Sequence, residues 1–495
     1  MSSVSKKSGT KAFILTLSKV VTVFLSVMTS MSLARALDLD EYGTYSELLT
    51  ISSIAVSIFS LGLPNALNYF LPRSKNSDEK SRFINFYILL VTALSFILMG
   101  VMVLVNKPIA AYYHNDRLIT YSYFLVLIPW SKLIISSRSN LLVAEGKVVR
   151  EMVYCVLNGI LLFLISVLTI LNQSNFDVYI GLYVLVEIAF TVLVYFEAFL
   201  ATGKKFRFEI KSVGIRELLA YTIPLGLSTA VSTISLDMDK LIIGSLMDEA
   251  SVAIYANAGK ELPFSLISTS FTAIFLPQIV LLVKNKETKA AVARWKDIME
   301  INYIILSFCV VASFAFAPQI ISLLYSDTYL AGVNIFRIYS LTLLLRITYW
   351  AMFLNAFGRT QEILLNSVIC LILNMILNVI FYHIIGFEGP AIATLFSILA
   401  IVILQIIRTS KLLEMPIGSF IPFRKFILPT VICTVSGILI YIVVNMLNIG
   451  TDTKGIVSVV VIGVIWCVLY MVLFGKRIFA LWRSLNHEVM GNNKE

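Results

Sequence analysis

Several stretches of this 495-residue chain run for 20 residues or more without a charged side chain. They include residues 83–105, 153–176, 301–326, 363–382, 426–451 and 455–475. About 20 mainly apolar residues in a helix are enough to cross the hydrocarbon layer of a membrane. Only 14% of all residues are charged, against about a quarter in soluble domains. The sequence therefore excludes a soluble protein.

Less pure apolar runs fill the gaps and bring the predicted total to about fourteen membrane helices. The first run is too long for a signal peptide, and it contains Lys19. All connecting loops are short, so we predict an all-α polytopic membrane protein without an extramembrane domain. The helices are placed near residues 12–34, 44–71, 83–105, 118–143, 151–171, 178–201, 218–246, 252–283, 298–325, 330–357, 361–385, 389–412, 426–449 and 455–475.

The net charge of +10 comes from 39 basic and 29 acidic residues. The basic residues flank the apolar runs and form no groove interleaved with aromatic residues, which argues against nucleic-acid binding. With a cytoplasmic N-terminus, 28 of them fall in inside segments and four in outside loops. Because basic residues concentrate in cytoplasmic loops, we expect both termini in the cytoplasm.

All five cysteines lie inside apolar runs, without a C-x-x-C pair or a histidine at ligand spacing. This pattern favours packing of the thiols over disulfides or a metal site. We therefore expect neither a metal nor another cofactor.

An internal repeat divides the sequence. The segments AEGK at 144–147 and AFGR at 356–359 follow the fourth and tenth helices, 212 residues apart, and DEYGTY at 40–45 resembles DEASVAIY at 248–255. We predict a six-helix lobe over 1–216, a second lobe over 217–424, and an appended helix pair with a tail over 425–495. Since six is even, both lobes share one orientation, and such folds bind substrate between the halves.

Short motifs recur along nearly the whole chain: LARAL at 33–37, EYGTY at 41–45, SLGLPNA at 60–66, FLP at 70–72, DKLIIG at 239–244, YA at 255–256 and GFEGPAIAT at 386–394. Together they resemble bacterial polysaccharide flippases of the Wzx type. This resemblance implies the fold of the multidrug, oligosaccharidyl-lipid and polysaccharide exporter superfamily, with two six-helix lobes around a central cavity. It also implies association with a polysaccharide polymerase and chain-length machinery.

Seven basic residues lie inside predicted helices, where an unpaired charge costs several kcal/mol. They are either functional or snorkel to the membrane surface. The three nearest the middle of their helices, Lys19, Lys132 and Arg346, are the leading candidates for binding an anionic substrate. The others are Arg138, Lys240, Lys260 and Arg337.

Two helices carry polar stripes at helical spacing, which indicates either contacts between helices or the walls of a hydrated cavity. Cations and hydroxyls together suit an undecaprenyl-pyrophosphate-linked oligosaccharide whose polyprenyl tail stays in membrane lipid. The predicted cavity lining is Thr22, Ser26 and Thr29 on the first helix, and Ser228, Ser232 and Ser235 on the seventh.

Four carboxylates inside spans are candidates for proton or sodium coupling: Glu47, Glu187, Asp237 and Asp239. Asp239 lies beside Lys240, so it is also explained by charge compensation. Glu187 has no cation beside it in the sequence and is the leading candidate. The alternative is that a cation on another helix is its partner. Coupling to an ion is not required, because an inside-negative potential of 100 mV by itself favours export of each negative charge by about 2.3 kcal/mol.

The sequence thus predicts a flippase of the bacterial inner membrane, and not an enzyme, that moves a lipid-linked oligosaccharide for surface polysaccharide such as O-antigen. A cation-coupled multidrug exporter is the nearest alternative, for which twelve helices and an anionic cavity would be expected. A polymerase or glycosyltransferase would need a large outside loop or metal-binding carboxylates. A scaffold for an assembly complex is the remaining class.

Overall fold

The computed structural model describes residues 2–71, 74, 76–171, 175–203, 215–260 and 264–491. These residues form helices and no β-strand, and twelve of the helices are long and apolar enough to cross a membrane. The predicted all-α membrane fold is confirmed. The chain divides into two compact units, Met1–Ala256 and Asn257–Glu495, whereas the predicted lobe boundary is at 216.

The first unit contains eleven helices in the part of the chain that is described. They are α1 (Ser2–Ala36), α2 (Leu39–Phe59), α3 (Leu63–Phe70), α4 (Ser77–Tyr113), α5 (Arg117–Thr120), α6 (Ser122–Ile135), α7 (Arg138–Ala144), α8 (Val148–Leu171), α9 (Phe176–Ala201), α10 (Ile215–Leu246) and α11 (Glu249–Ala258). Helix α1 packs along α8, and α10 packs on α2 and α3, which explains why this unit extends past residue 216.

The second unit contains ten α-helices among its described residues, and a 3-10 helix (Asp327–Gly332) that precedes α15. The α-helices are α12 (Ser265–Lys284), α13 (Thr288–Ala315), α14 (Ala317–Leu324), α15 (Val333–Leu345), α16 (Met352–Ala356), α17 (Thr360–Ile385), α18 (Gly389–Leu413), α19 (Ile417–Phe420), α20 (Phe423–Met446) and α21 (Thr453–Gly491).

Several predicted helices are broken. Residues 44–71 form α2 and α3, and residues 118–143 form parts of α5, α6 and α7, so neither is counted among the twelve long spans. Adding these two broken crossings makes the expected total of about fourteen consistent with the structure. The predicted helix at 330–357 likewise ends at Leu345 and resumes at Met352, and the one at 252–283 ends at Ala258 and resumes at Ser265.

The break between α2 and α3 has a local cause. Leu61 and Gly62 adopt left-handed backbone angles, with φ of 46° and 68°, and Pro64 lies in the first turn of α3. Glycine adopts this conformation without strain, and proline suits a first turn because it has no N–H to leave unbonded. A Cβ atom on Gly62 would lie 2.4 Å from the Thr222 carbonyl oxygen of α10. The backbone of the turn at Gly62 therefore lies in direct contact with the backbone of α10.

Aromatic packing forms the core of the second unit. Trp295 on α13 is fully buried, donates from Nε1 to Thr348 Oγ1 at 2.8 Å, and packs against Trp350, Phe353 and Phe420. Buried indole N–H groups need such an acceptor. This cluster holds the short helices that follow α15 and α18 against α13.

The last two long helices dock on α13 through one buried carboxylate. Glu300 accepts a hydrogen bond from Arg477 Nε and forms an ion pair with Lys425 Nζ, each at 2.6 Å. The Tyr470 hydroxyl also donates to the Ile304 carbonyl at 2.8 Å. The predicted appended pair is thus tied to the second unit by ionic and hydrogen bonds.

Candidate functional site

A cavity of about 760 Å³ lies within the first unit. Its wall is formed by α2, α3, α6 and α10, and it includes the residues on both sides of the α2–α3 break. Among the residues that the structure describes, one cation and eight neutral polar residues line it, and no carboxylate does. The polar lining residues are Ser52, Ser53, Ser57, Ser60, Asn65, Lys132, Ser136, Thr229 and Thr233.

Helical spacing explains why these hydroxyls share one wall. Ser53, Ser57 and Ser60 follow each other at intervals of four and three residues, which places them on one face of α2. This signal was available in the sequence, but the interpretation rested on α1 and α10 instead. On α10 the lining residues are Thr229 and Thr233, which are neighbours of the predicted Ser228 and Ser232.

Lys132 is held by Glu187 across α6 and α9. Its Nζ atom donates to Glu187 Oε1 at 2.7 Å, and the two side chains are 35% and 0% exposed. Ser131 donates to the Glu187 backbone carbonyl at 2.8 Å and is also bonded to Thr191. Glu187 thus has a cation partner 55 residues away, which joins two residues that the sequence treated as separate candidates.

Arg138 is also held by a carboxylate. Its Nε donates to Glu151 Oε2 at 3.0 Å, and its Nη2 lies 3.2 Å from Cys155 Sγ. Both charged residues are buried. Removing one member of such a buried ion pair lowers the stability of a protein by several kcal/mol. Because Arg138 is on α7 and Glu151 is on α8, the pair holds these two helices together.

The carboxylates of α10 are split between two environments. Asp237 accepts from Lys240 Nζ at 2.7 Å on the same helix, so the charge of Lys240 is compensated locally. Asp239 is buried and accepts from the Lys240 backbone N–H at 3.2 Å. The expected compensation of Lys240 therefore comes from Asp237.

Glu47 on α2 has a neutral partner. Its buried Oε2 accepts from Asn115 Nδ2 at 2.8 Å, and Asn115 also donates to Thr44 Oγ1. A Cβ atom on Gly244 would meet the Tyr113 ring at 2.4 Å and Glu47 Oε1 at 3.6 Å, so the pocket is closely packed. Among the ion pairs of the described residues, none includes Glu47.

The polar stripe of α1 does not line this cavity. Lys19 and Ser26 are exposed, and Thr22 and Thr29 donate to the carbonyls of residues 18 and 25 on their own helix, at 2.8 and 2.9 Å. On α10, Ser232 donates to the Ser228 carbonyl at 2.9 Å, and neither Ser228, Ser232 nor Ser235 lines the cavity.

The remaining predicted cations are distributed over the second unit. Arg346 is half-buried in the non-helical turn after α15, and Lys260 lies between α11 and α12. Arg337 on α15 donates to the Phe314 carbonyl at 3.3 Å and stacks on the Phe314 and Tyr441 rings at 5.2 and 6.0 Å. Of the seven cations, Lys132 lines the cavity of the first unit.

A second polar stripe was not recognised from the sequence. Asn366, Asn374 and Asn378 lie on one face of α17, and all three are buried. Asn374 Nδ2 donates to Thr394 Oγ1 and Ser397 Oγ of α18, each at 3.2 Å. Asparagines recurring at multiples of four residues are the signal that could have identified this stripe.

Comparison with known proteins identifies similar sequences and folds. A family model described as polysaccharide biosynthesis protein matches residues 32–334. The structure is similar to the lipid II flippase MurJ in an inward closed conformation, with 15% identity and a TM-score of 0.74, over 93% of this chain and 99% of that chain.

The fold is also similar to transporters of another branch. An inward-facing multidrug resistance MATE family transporter of the MOP superfamily has 14% identity and a TM-score of 0.65, over 79% of this chain and 94% of that chain. A variant of the Vibrio cholerae MATE transporter VcmN has 13% identity and a TM-score of 0.53, over 83% and 98%. No curated protein matched the sequence. At these identities the likeness establishes the fold alone.

Proposed function

Because the chain belongs to the polysaccharide biosynthesis protein family, we propose that it moves an undecaprenyl-pyrophosphate-linked oligosaccharide across the bacterial inner membrane. Family membership confirms the resemblance stated from the sequence, and the flippase and transporter fold agrees with it. The substrate is our proposal. The polyprenyl tail would remain in lipid while the polar headgroup crosses.

The observation that carries this proposal is the lining of the first unit's cavity. In the described part of the chain, eight neutral polar groups and one cation face it, without a carboxylate. A transporter for hydrophobic cations would need negative or aromatic groups in that position. The lining therefore favours a glycan-bearing substrate over a cationic drug.

We further propose that basic residues bind the pyrophosphate. We assign the main contact to Arg346, because it lies near the middle of a predicted span and carries a guanidinium, with Lys19, Lys260 and Arg337 as further cations along the path. Lys132, Arg138 and Lys240 form ion pairs with carboxylates. Arginine presents a planar fork that can bind two phosphate oxygens at once.

The direct test measures outward movement of a lipid-linked oligosaccharide in proteoliposomes. We expect transport to rise with an inside-negative potential, since each uncompensated charge contributes about 2.3 kcal/mol per 100 mV. Arg346→Ala should abolish transport while the protein still inserts, and Arg359→Ala, at a side chain 60% exposed, is the matched control with normal transport. Efflux of a cationic dye without glycolipid movement would favour the exporter.

If transport is ion-coupled, we propose Glu47 as the leading proton site, with Glu187, Asp237 and Asp239 behind it. Glu187 and Asp237 are paired with cations, whereas Glu47 is buried against the neutral Asn115. Burying a carboxylate without a cation is expensive, so gaining and losing a proton matters most there. Glu47→Gln should remove the pH dependence of transport, and unchanged pH dependence would contradict this assignment.

Both termini are proposed to lie in the cytoplasm, because 28 basic residues fall in inside segments and four in outside loops. A reporter enzyme fused after residue 495 should be active only if it is of the cytoplasmic type. Activity of a periplasmic reporter there would reverse the assignment.

A further inference from the structure

We propose that the cavity of the first unit binds the sugar hydroxyls of the transported lipid and not its pyrophosphate. This inference rests on the proposed flippase function. It assigns the sugars to this cavity and leaves the pyrophosphate to basic residues outside it. The argument depends on which groups of the lining can still donate a hydrogen bond.

Four of the cavity hydroxyls already use their protons within their own helices. Ser57 and Ser60 on α2 donate to the carbonyls of residues 54 and 57, at 2.8 and 3.1 Å. Ser136 and Thr229, at the end of α6 and on α10, donate to the carbonyls of residues 133 and 225, at 2.6 and 3.0 Å. A hydroxyl that has donated its only proton keeps its lone pairs, so these four oxygens present acceptors to the cavity.

Acceptors discriminate between the two parts of a lipid-linked glycan. A sugar hydroxyl can donate to a serine or threonine oxygen, whereas an ionised phosphate oxygen can only accept. A phosphate placed here would have to turn the hydroxyls away from their carbonyls, so it would gain each donor only by breaking a hydrogen bond that already exists. The lining therefore selects ligands rich in hydroxyl groups.

The one cation among the described lining residues does not reverse this preference. Lys132 is bonded to Glu187 at 2.7 Å, so the pair brings no net charge to the cavity. Asn65 adds one neutral amide. These groups can bind sugar oxygens, but they do not supply the excess positive charge that a pyrophosphate requires.

One buried oxygen also points to a missing partner. Ser52 lines the cavity, is only 4% exposed, and its Oγ has no hydrogen-bond partner among the described residues. Buried hydroxyls are normally bonded, and a sugar hydroxyl would satisfy this one. The cavity volume of about 760 Å³ falls within the range of small-molecule sites.

The experiment measures protection of a thiol introduced by Ser53→Cys, at an exposed position of the cavity wall. The purified protein is labelled with N-ethylmaleimide, with oligosaccharide released from the host's lipid-linked pool or with inorganic pyrophosphate. Labelling of each site is followed by peptide mass spectrometry. The native Cys467, exposed on α21, is the control within the same molecule.

We expect saturating oligosaccharide to slow labelling at position 53 by at least about five-fold, and pyrophosphate to leave it unchanged. Cys467 should react at the same rate throughout. Protection by pyrophosphate without protection by oligosaccharide would overturn the inference, and so would the absence of any protection. In either case, glycolipid transport by the same protein would show that the proposed flippase function still stands.

A second variant tests the hydroxyl itself. Thr229→Val keeps the side-chain shape but removes the acceptor, so the oligosaccharide concentration needed for protection should rise about five-fold. Thr269→Val is the matched control, because Thr269 also donates to the carbonyl four residues earlier on an exposed helix face, at 3.2 Å. Equal effects of both substitutions would overturn the inference, and protection without transport would support the sugar site while removing the flippase proposal.

Discussion

Buried carboxylates on α8 and α9 of the first unit are paired with cations, whereas the buried asparagines on α17 of the second unit are neutral amides. Three buried glutamates, Glu151, Glu187 and Glu197, each accept from a basic side chain. On α17, Asn374 bonds instead to hydroxyls of α18. Both arrangements join helices within a membrane, but they respond differently to a lost partner.

Removing one member of a buried ion pair leaves a charge in a medium of low dielectric, at a cost of about 3–5 kcal/mol. A hydrogen bond between neutral side chains of membrane helices is worth only about 0.6 kcal/mol on average. The first arrangement thus depends on complete pairs. The second tolerates loss, and substitutions can measure the contrast.

The largest effect is expected at Arg138. Arg138→Ala leaves the buried Glu151 carboxylate without its cation and should lower the free energy of unfolding by about 3–5 kcal/mol. The measurement is the midpoint of thermal unfolding in detergent. The double variant Arg138→Met with Glu151→Gln should recover most of the loss, and a single variant as stable as the native protein would break the comparison.

The Lys132–Glu187 pair should respond asymmetrically, since the two side chains are 35% and 0% exposed. Lys132→Met strands a fully buried carboxylate and should cost about 3 kcal/mol, whereas Glu187→Gln leaves an ammonium that water can reach and should cost about 1 kcal/mol. Thermal unfolding of both variants measures the difference. Equal losses would mean that burial does not set the cost.

In the neutral stripe, Asn374→Leu should cost about 1 kcal/mol, because two hydrogen bonds are lost but no charge is stranded. The shift of the unfolding midpoint should be the same at pH 6 and pH 8. The control on the same helix is Leu365→Asn, which makes the opposite replacement at an exposed position. A loss as large as that of Arg138→Ala would erase the distinction between buried ion pairs and buried neutral amides.

The smallest effect concerns a connector. Asp248 accepts from the Ser251 backbone N–H at 2.9 Å at the start of α11, and hydrogen bonds from Ser251 lower the pKa of its carboxyl below the usual 3.8. Asp248→Ala should cost about 1 kcal/mol at neutral pH. Because the folded pKa is lowered, the contribution of the charge is lost as the pH falls below about 4, so the difference between variant and native protein should shrink there.

Asp248→Asn provides the control for that measurement, since an amide oxygen can still cap α11 without a charge. It should remain close to the native stability at neutral pH. A penalty for Asp248→Ala that stays constant down to pH 3 would show that the carboxylate charge plays no part.

The long helices were predictable because apolar runs such as 83–105 and 363–382 contain no charge. The breaks were not, because residues on both sides of Gly62 and of the turn after Leu345 remain apolar. Hydropathy reports whether a segment prefers lipid, and it does not report backbone angles. Gly62, Leu63 and Pro64 belong to the SLGLPNA motif. Glycine and proline at this spacing favour a turn, and this is the sequence signal that indicates the break between α2 and α3.

The candidate site depends on helix packing more than the fold does. Lys132 and Glu187 are each unusual charges in the sequence, yet their pairing depends on how α6 packs against α9, which no sequence spacing encodes. The lining predicted on α1 and α10, from Thr22, Ser26, Thr29, Ser228, Ser232 and Ser235, stays a prediction. Polar stripes of similar strength occur on α2 and α17, so periodicity alone could not choose among them.

The contact between Gly62 and Gly226 has a consequence for genetic suppression. A Cβ on Gly226 would lie 2.3 Å from the Leu61 carbonyl carbon, and a Cβ on Gly62 would lie 2.7 Å from the Gly226 nitrogen. A clash between two side chains can be relieved by a smaller partner, but every residue has these main-chain atoms. Revertants of a Gly226→Ala strain should therefore arise at positions that shift α10 as a whole, and not at residues 61 or 62.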